Sequence, residues 1–143
     1  MKKDNINALD EINKGTHMGM DAVDFILKIV EDKELSGVLN KQYADYEKIA
    51  KKIEEIYPKY NEGRPHKTSF MTKVMTWHGI EMETSKDKSN SKIAELLLNG
   101  VNMGIIEGKK ILNNKQLDKE VEEIINEYVD MQEKSVEVLK EYL

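Results

Sequence analysis

The sequence predicts an all-α fold, in which four long helices form two helical hairpins. Apolar residues recur at three- and four-residue steps along four long segments, which is the spacing of one helix face. The chain has only two prolines, and 39% apolar with 34% charged residues is typical of a helix-rich protein. A length of 143 residues suits one domain with a real core, so we predict a single domain over residues 1–143.

The first hairpin is predicted over about residues 5–60. Its first helix covers about residues 5–30, with Leu9, Val23 and Ile26 among the apolar residues of one face. The run EDKE interrupts this pattern, and a second helix follows over about residues 35–57. Pro58 ends that helix, because proline lacks the backbone N–H that a helix interior requires.

A crossover of about residues 62–90 separates the two hairpins. Within it, FMTKVMTWHGIEM (70–82) is short and rich in methionine, and we predict that it forms an extra short helix. The second hairpin covers about residues 91–142, with helices over about 91–112 and 117–142 and a turn at NNK. Short turns within each hairpin predict antiparallel partners.

The two hairpins share a sequence pattern. GTHMG (15–19) in the first helix corresponds to GVNMG (100–104) in the third, and Tyr46 in the second helix corresponds to Tyr128 in the fourth. These correspondences predict that the two hairpins arose by internal duplication.

Five glycines lie inside the predicted first and third helices: Gly15, Gly19, Gly100, Gly104 and Gly108. Each costs roughly 0.5–1 kcal/mol relative to alanine, so a packing contact should offset the cost. Glycines four residues apart share a helix face and allow another backbone to approach closely. We therefore predict that the first and third helices cross at these glycines. The alternative is that the stripe receives a ligand or a partner helix; a phosphate-binding loop is not expected, because no strand precedes the motif.

Composition and charge exclude several classes of function. The absence of cysteine rules out disulfides, zinc–thiolate sites, iron–sulfur clusters and thiol nucleophiles. A formal net charge of −5 argues against general nucleic-acid binding. No stretch reaches the roughly 20 apolar residues of a membrane span and no secretory signal is visible, so the expected location is the cytoplasm.

Two duplicated αα-hairpins joined by a long crossover resemble the ferritin-like superfamily, and in particular small bacterial ferritin-like domains of unknown function. The resemblance covers about residues 5–60 and 88–142 and implies a ferritin-like four-helix bundle. Metal-binding members hold two metals with a Glu from each of two helices and Glu-x-x-His from each of the other two. This chain contains no Glu-x-x-His. We therefore expect no metal and no cofactor, and the superfamily's oxidase and iron-storage chemistry is not carried over.

The remaining candidates for a cation site are Asp21, Asp24 and Glu107, since carboxylates brought together across a bundle can bind a cation. Solvated helix faces are the simpler interpretation of the two aspartates, and Glu107 is expected to be partly buried. The histidines are His17, His66 and His78. Their spacing is not that of a known metal site, so we expect three unrelated residues.

A polar layer is expected halfway along the core. Tyr46 and Tyr128 fall on the inner faces of their helices, and a buried tyrosine hydroxyl usually finds a hydrogen-bond partner. Gln42 and Asn102, which we predict near the same level, are the candidate partners. Such a layer would fix the register of the helices; a pocket for a small molecule is the alternative.

The crossover helix has more apolar residues than one narrow stripe needs: Phe70, Met71, Val74, Met75, Trp77 and Met82. Methionine-rich surfaces adapt to varied partners. The segment either packs along the bundle to cover its edge or forms an interface with another molecule. A helix lying on a membrane would carry more basic residues on its polar face.

These observations predict a non-catalytic interaction or structural module that forms a homo-oligomer or binds a protein partner, with no role for nucleic acid or membrane. One alternative is a degenerate ferritin-like protein that binds a metal or a small ligand inside the bundle. Another is a regulator or inhibitor that acts through the methionine-rich crossover. The sequence indicates no reaction and favours a protein that is not an enzyme.

Overall fold

A computed structural model describes residues 2–67 and 70–143, except for the side chains of Phe70 and Met71. These residues form helices and loops with no strand, which confirms the all-α class. The helices are α1 (Lys2–Leu27), α2 (Lys33–Ile56), α3 (Phe70–Thr84), α4 (Asn90–Asn114) and α5 (Lys119–Lys140), with a single 3₁₀ turn at Tyr57–Lys59. No helix in the described ranges is both long enough and apolar enough to cross a membrane.

The helix ends follow local chemistry. The Asp32 carboxylate accepts a hydrogen bond from the Leu35 N–H at 2.8 Å and caps α2. The Ser89 hydroxyl caps α4 in the same way, through the Lys92 N–H at 3.2 Å. Helix α1 ends at Leu27, short of the predicted residue 30, because residues 28–32 form the turn that leads into the capped start of α2.

Neighbouring long helices run antiparallel. The amino end of α1 lies at the turn between α4 and α5, where the Asp118 N–H donates to Asn5 Oδ1 at 2.9 Å. The carboxyl end of α2 meets the amino end of α5, where the Tyr60 hydroxyl donates to Glu120 at 2.8 Å. The segment between α2 and α4 therefore runs from one end of the molecule to the other, and α3 lies within it.

The core consists of two apolar clusters, one toward each end of the long helices. One cluster includes Leu9, Ile12, Ile53, Tyr57 and Ile125. The other includes Val23, Ile26, Leu35, Leu39, Ile93 and Leu139. Met131 packs against both clusters, and a layer of polar side chains lies between them. Fully burying an aliphatic side chain contributes roughly 1.5–3 kcal/mol, so these two clusters supply most of the stabilisation.

Candidate functional site

A chain of three buried polar side chains crosses the middle of the core. The Tyr46 hydroxyl of α2 donates to Gln132 Oε1 of α5 at 2.9 Å. Gln132 Nε2 in turn donates to the Tyr128 hydroxyl, one turn earlier on α5, at 3.1 Å. All three side chains are buried. We call this group the Tyr46–Gln132–Tyr128 chain, and it ties α2 to α5 at one fixed register.

The Tyr46–Gln132–Tyr128 chain is uncharged at neutral pH. Burial raises the pKa of both tyrosine hydroxyls, and their hydrogen bonds with Gln132 oppose that rise only in part. Both hydroxyls therefore keep their protons, and the chain offers hydrogen bonds but no anionic ligand for a metal.

The glycines of α1 and α4 make room for this chain. A Cβ on Gly19 would lie 2.8 Å from the Tyr46 hydroxyl and closer still to the ring. A Cβ on Gly104 would lie 2.6 Å from both Gln132 Nε2 and the Tyr128 hydroxyl, and one on Gly15 would lie 2.9 Å from that hydroxyl. Two large aromatic side chains thus fill the core at this level because three facing residues have no side chain.

The predicted role of the glycines was wrong in one respect. The neighbours of Gly15, Gly19, Gly104 and Gly108 are side chains of α2 and α5, with Val129 facing Gly108, rather than the backbone of the opposite glycine helix. Gly100 is exposed, and a Cβ there would have nothing within 4 Å, so it belongs to no crossing. Each four-residue step turns about 40° around a helix, so Gly100 has rotated away from the face that contains Gly108.

Two further predictions on α4 were wrong. Asn102 is exposed and Gln132 takes the place predicted for it, because Asn102 lies two residues from Gly104 and hence on nearly the opposite side of α4. Glu107 is exposed rather than partly buried, because it lies about 100° around the helix from the buried Gly108. Gln42 is buried like the two tyrosines, but its predicted role as their partner was wrong, because both hydroxyls bond to Gln132.

The candidate carboxylates do not converge. Asp21 pairs with Lys73 of α3 at 3.5 Å, and Asp24 lies 3.9 Å from Lys28 on its own helix. Among the residues that the structure describes, no group of three His, Asp or Glu side chains is placed to hold a metal ion. Asp21, Asp24 and Glu107 therefore form no shared site.

A second polar cluster fastens the beginning of the crossover to α1. Asp10 is buried and accepts hydrogen bonds from the Tyr57 hydroxyl and from the His66 N–H, both at 2.9 Å. Asn13 Nδ2 donates to the His66 carbonyl at 2.8 Å. This cluster was not predicted; its signal in the sequence is the pair Asp10 and Asn13, three residues apart on an otherwise apolar face.

Three buried polar atoms of α1 have no hydrogen-bond partner in the described part of the chain. They are Asn13 Oδ1, Thr16 Oγ1 and His17 Nε2. Burial, and then the nearby charge of Lys67, lower the pKa of His17, so its imidazole is neutral at physiological pH. These atoms accompany the cluster of Asp10 but form no metal site with it.

Helix α3 packs on α1 and also exposes apolar side chains to solvent. The Trp77 ring meets Phe25 edge-on at 6.4 Å between centroids, beside the ion pair between Lys73 and Asp21. The exposed fractions are 41% for Val74, 67% for Met75, 44% for Trp77 and 65% for Met82. We call these four residues the α3 apolar face. The side chains of Phe70 and Met71, predicted for the same interface, lie outside the described residues.

An open groove of about 710 Å³ separates α2 from α5 on the surface. Gln42, Ile49 and Ser135 are buried at its floor. Its walls carry charged side chains: Lys41, Asp45 and Lys48 on α2, and Glu123, Glu127, Asp130 and Lys134 on α5. We call it the α2–α5 groove. It was not predicted from the sequence.

No family model, curated protein or solved structure matches this chain. The residues of the candidate sites are therefore the basis for the function. Those residues comprise a neutral polar chain in the core, an exposed apolar helix face and a charged surface groove.

Stability is expected to fall as the pH rises above 10. The folded protein holds the protons of Tyr46 and Tyr128 more tightly than the unfolded chain, because burial raises both pKa values above the ordinary 10.0. The resulting stabilisation is complete below pH 10 and is lost with rising pH, at up to about 1.4 kcal/mol per pH unit for each tyrosine. Urea titrations at a series of alkaline pH values measure the slope.

The double variant Tyr46→Phe/Tyr128→Phe is the control for this prediction, because it lacks both hydroxyls. Its stability should fall less steeply than that of the wild type above pH 10. Equal slopes for the two proteins would show that these hydroxyls do not account for the alkaline destabilisation.

Proposed function

We propose that this protein is a non-catalytic protein-interaction module with a ferritin-like arrangement of helices, and that the α3 apolar face is its partner surface. The observation that carries the proposal is the exposure of Val74, Met75, Trp77 and Met82 on one short helix. Large groups of exposed apolar side chains are rare on monomeric proteins, and they often mark interaction surfaces. A cytoplasmic location stays a prediction.

The topology supports the ferritin-like part of the proposal. Two antiparallel hairpins joined by a crossover that runs the length of the molecule are the arrangement that the resemblance implies. Internal duplication is supported by a repeated contact: Gly19 faces Tyr46 in the first hairpin, and Gly104 faces Tyr128 in the second. The two halves differ at Gln132, since the corresponding residue in the first hairpin is Ala50.

The filled core supports a role without chemistry inside the bundle. The Tyr46–Gln132–Tyr128 chain occupies the polar layer between the two apolar clusters of the core. That chain is neutral, its polar atoms bond to one another, and the facing glycines leave no space for a further Cβ. These properties favour a structural layer over a pocket for a metal or a small ligand.

The α3 apolar face has the chemistry of an adaptable surface. Methionine side chains are unbranched and polarisable, so they fit partners of varied shape, and Trp77 adds a large aromatic contact. Because α3 lies on the outside of α1, a partner can reach it without disturbing the core. If the partner is an enzyme, the protein acts as a regulator or inhibitor through this face.

Replacing the two methionines of the α3 apolar face should weaken partner binding. Met75→Glu/Met82→Glu puts two charges on the α3 apolar face, and we expect recovery of a specific partner to fall at least about tenfold, since burying unpaired charge in an interface is costly. The measurement is quantitative affinity purification from the native cells. Asn40→Glu/Asn99→Glu is the matched control, because it adds the same charge at exposed positions on α2 and α4.

Two results would contradict the proposal. One is equal recovery of every partner by the wild type, the α3 variant and the control. The other is stoichiometric iron in untagged protein after anaerobic loading with Fe(II), measured by elemental analysis. Bound iron would favour the degenerate metal-binding protein instead.

A further inference from the structure

We propose that the α2–α5 groove is a self-association surface, which receives a second copy of this chain through a two-fold axis parallel to the helices. The inference rests on the proposed interaction role and deepens it, because it assigns a second surface and names its occupant. The α3 apolar face remains available to a different partner, since it lies on α1 rather than between α2 and α5.

The floor of the groove contains a hydrogen-bond donor without an acceptor. Gln42 lines the groove with only 7% of its surface exposed, and Nε2 has no partner within the described residues. A buried donor of this kind is destabilising unless an acceptor reaches it. This donor is shielded from solvent within one molecule, so it belongs to the floor of the groove and not to the surface that an occupant contacts.

Two contacts show which residues of α2 and α5 lie at the same height, measured along the helix axes. Tyr46 bonds to Gln132 at 2.9 Å, and Lys52 pairs with Glu127 at 2.7 Å near one end of the groove. Because α2 and α5 are antiparallel, each step forward on α2 is matched by one step back on α5. Lys48 therefore stands level with Asp130, to within about one residue or ~1.5 Å.

Two pairs of opposite charge lie at matching heights on the two walls. Lys48 is level with Asp130, and Asp45 is level with Lys134. In the described structure Lys48 and Asp130 form no ion pair, since the only bridge between the walls joins Lys52 to Glu127. In the described part of the molecule Lys48, Asp130 and Lys134 thus form no ion pair, whereas Asp45 pairs with Lys41 of its own helix at 2.9 Å.

A two-fold axis parallel to the helices uses these charges. Such a rotation preserves every height and exchanges the walls, so that α5 of the second copy lies against α2 of the first. Lys48 then faces Asp130 of the second copy, and Asp45 faces Lys134 of the second copy, with each pair formed twice.

The match favours a second copy over other occupants. An axis perpendicular to the helices would place α5 against α5 and bring together two walls rich in Glu and Asp. A small molecule or an unrelated helix would not require opposite charges at equal heights on the two walls. Electrostatic complementarity of this kind sets register and orientation in an interface.

Charge reversal on one wall should dissociate the dimer, and reversal on both walls should restore it. Lys48→Glu and Asp130→Lys each convert two attractive pairs into two repulsive ones, so each should raise the dimer dissociation constant roughly tenfold or more. The double variant Lys48→Glu/Asp130→Lys should return close to the wild-type value. Sedimentation equilibrium over a wide protein concentration range measures all three, and raised salt should weaken the wild-type dimer.

Lys109→Glu is the matched control, because Lys109 is exposed on α4, away from the groove, and the net charge changes equally. The inference is overturned if the wild type stays monomeric, if Lys48→Glu leaves the dimer unchanged, or if the double variant fails to restore it. A dimer lost in Met75→Glu/Met82→Glu but kept in Lys48→Glu would also overturn it while leaving the α3 apolar face as an interface. Whether the α3 apolar face binds a partner is measured separately, by the affinity purification.

Discussion

Gly19→Ala is expected to lower the free energy of unfolding by about 1–3 kcal/mol, although alanine is the better helix former. Alanine in a helix interior gains roughly 0.5–1 kcal/mol over glycine. Against that gain, the new Cβ would overlap the Tyr46 ring and lie 2.8 Å from its hydroxyl. Overpacking of this kind costs about 1–3 kcal/mol, and the loss of a hydrogen bond adds about 1 kcal/mol.

Tyr46 cannot move away cheaply. Its ring is 5% exposed, and its hydroxyl is held by Gln132 on the neighbouring helix. A shift of the ring would therefore break that bond or push α1 away from α2. This rigidity separates Gly19 from positions where a flexible side-chain end could give way.

Gly100→Ala is the control for the same chemical change. Gly100 is also inside a helix, but nothing lies within 4 Å of the position of its Cβ, so we expect a gain of roughly 0.5–1 kcal/mol. Urea unfolding followed by circular dichroism measures both variants. A Gly19→Ala protein as stable as Gly100→Ala would show that Tyr46 does not occupy the space opposite Gly19.

A double-mutant cycle can assign the effect to the pair. Gly19→Ala should cost less in a Tyr46→Leu background than in the wild type, because leucine lacks the ring atoms that meet the new methyl group. If the cost is the same in both backgrounds, the two residues are not in contact.

Gln132→Leu is expected to destabilise the protein by about 2–4 kcal/mol. Gln132 is 2% exposed and serves both tyrosines, as acceptor for Tyr46 and as donor to Tyr128. Leucine has a similar size, so the variant removes the hydrogen bonds more than it removes volume. Each buried hydroxyl left without this partner costs about 1–3 kcal/mol.

The triple variant Tyr46→Phe/Tyr128→Phe/Gln132→Leu tests that explanation. It removes every polar group of the chain together, and replacing both partners of a buried hydrogen bond by apolar groups is close to neutral. The triple variant should therefore recover most of the stability that Gln132→Leu loses. Urea unfolding measures this, provided that the free energy of unfolding falls with urea concentration at the same slope in both variants. A triple variant less stable than Gln132→Leu would mean that packing, rather than unpaired hydroxyls, causes the loss.

The helices themselves could be predicted closely. Helical periodicity is a local property: Leu9, Val23 and Ile26 share a face because of the 3.6-residue turn, whatever packs against that face. The existence of α3 was likewise predicted from FMTKVMTWHGIEM, and its extension to Thr84 is a difference at the boundary only. Local capping by Asp32 and Ser89 accounts for the positions at which α2 and α4 begin.

The partners of the polar residues could not be predicted in the same way. Tyr46 and Tyr128 were placed on inner faces, but Gln132 was missed and Asn102 was chosen in its place. Periodicity identifies a face and leaves the rotation and axial shift of each helix undetermined. Two residues along α4 are enough to move a side chain from the core to solvent, as Asn102 and Gly104 show.

The sequence by itself determined that the chain is helical, which faces are apolar, that no cysteine chemistry occurs, and that the standard Glu-x-x-His motif is absent. The tertiary structure alone decided that glycines face tyrosine rings, that Gln132 joins those rings, and that α2 and α5 leave a charged groove open between them. The physical reason is the range of the interactions. Turn geometry and composition act within a few residues, whereas these contacts join Gly19 to Tyr46 and Tyr46 to Gln132, and they exist only after helix rotation and register have been set by packing.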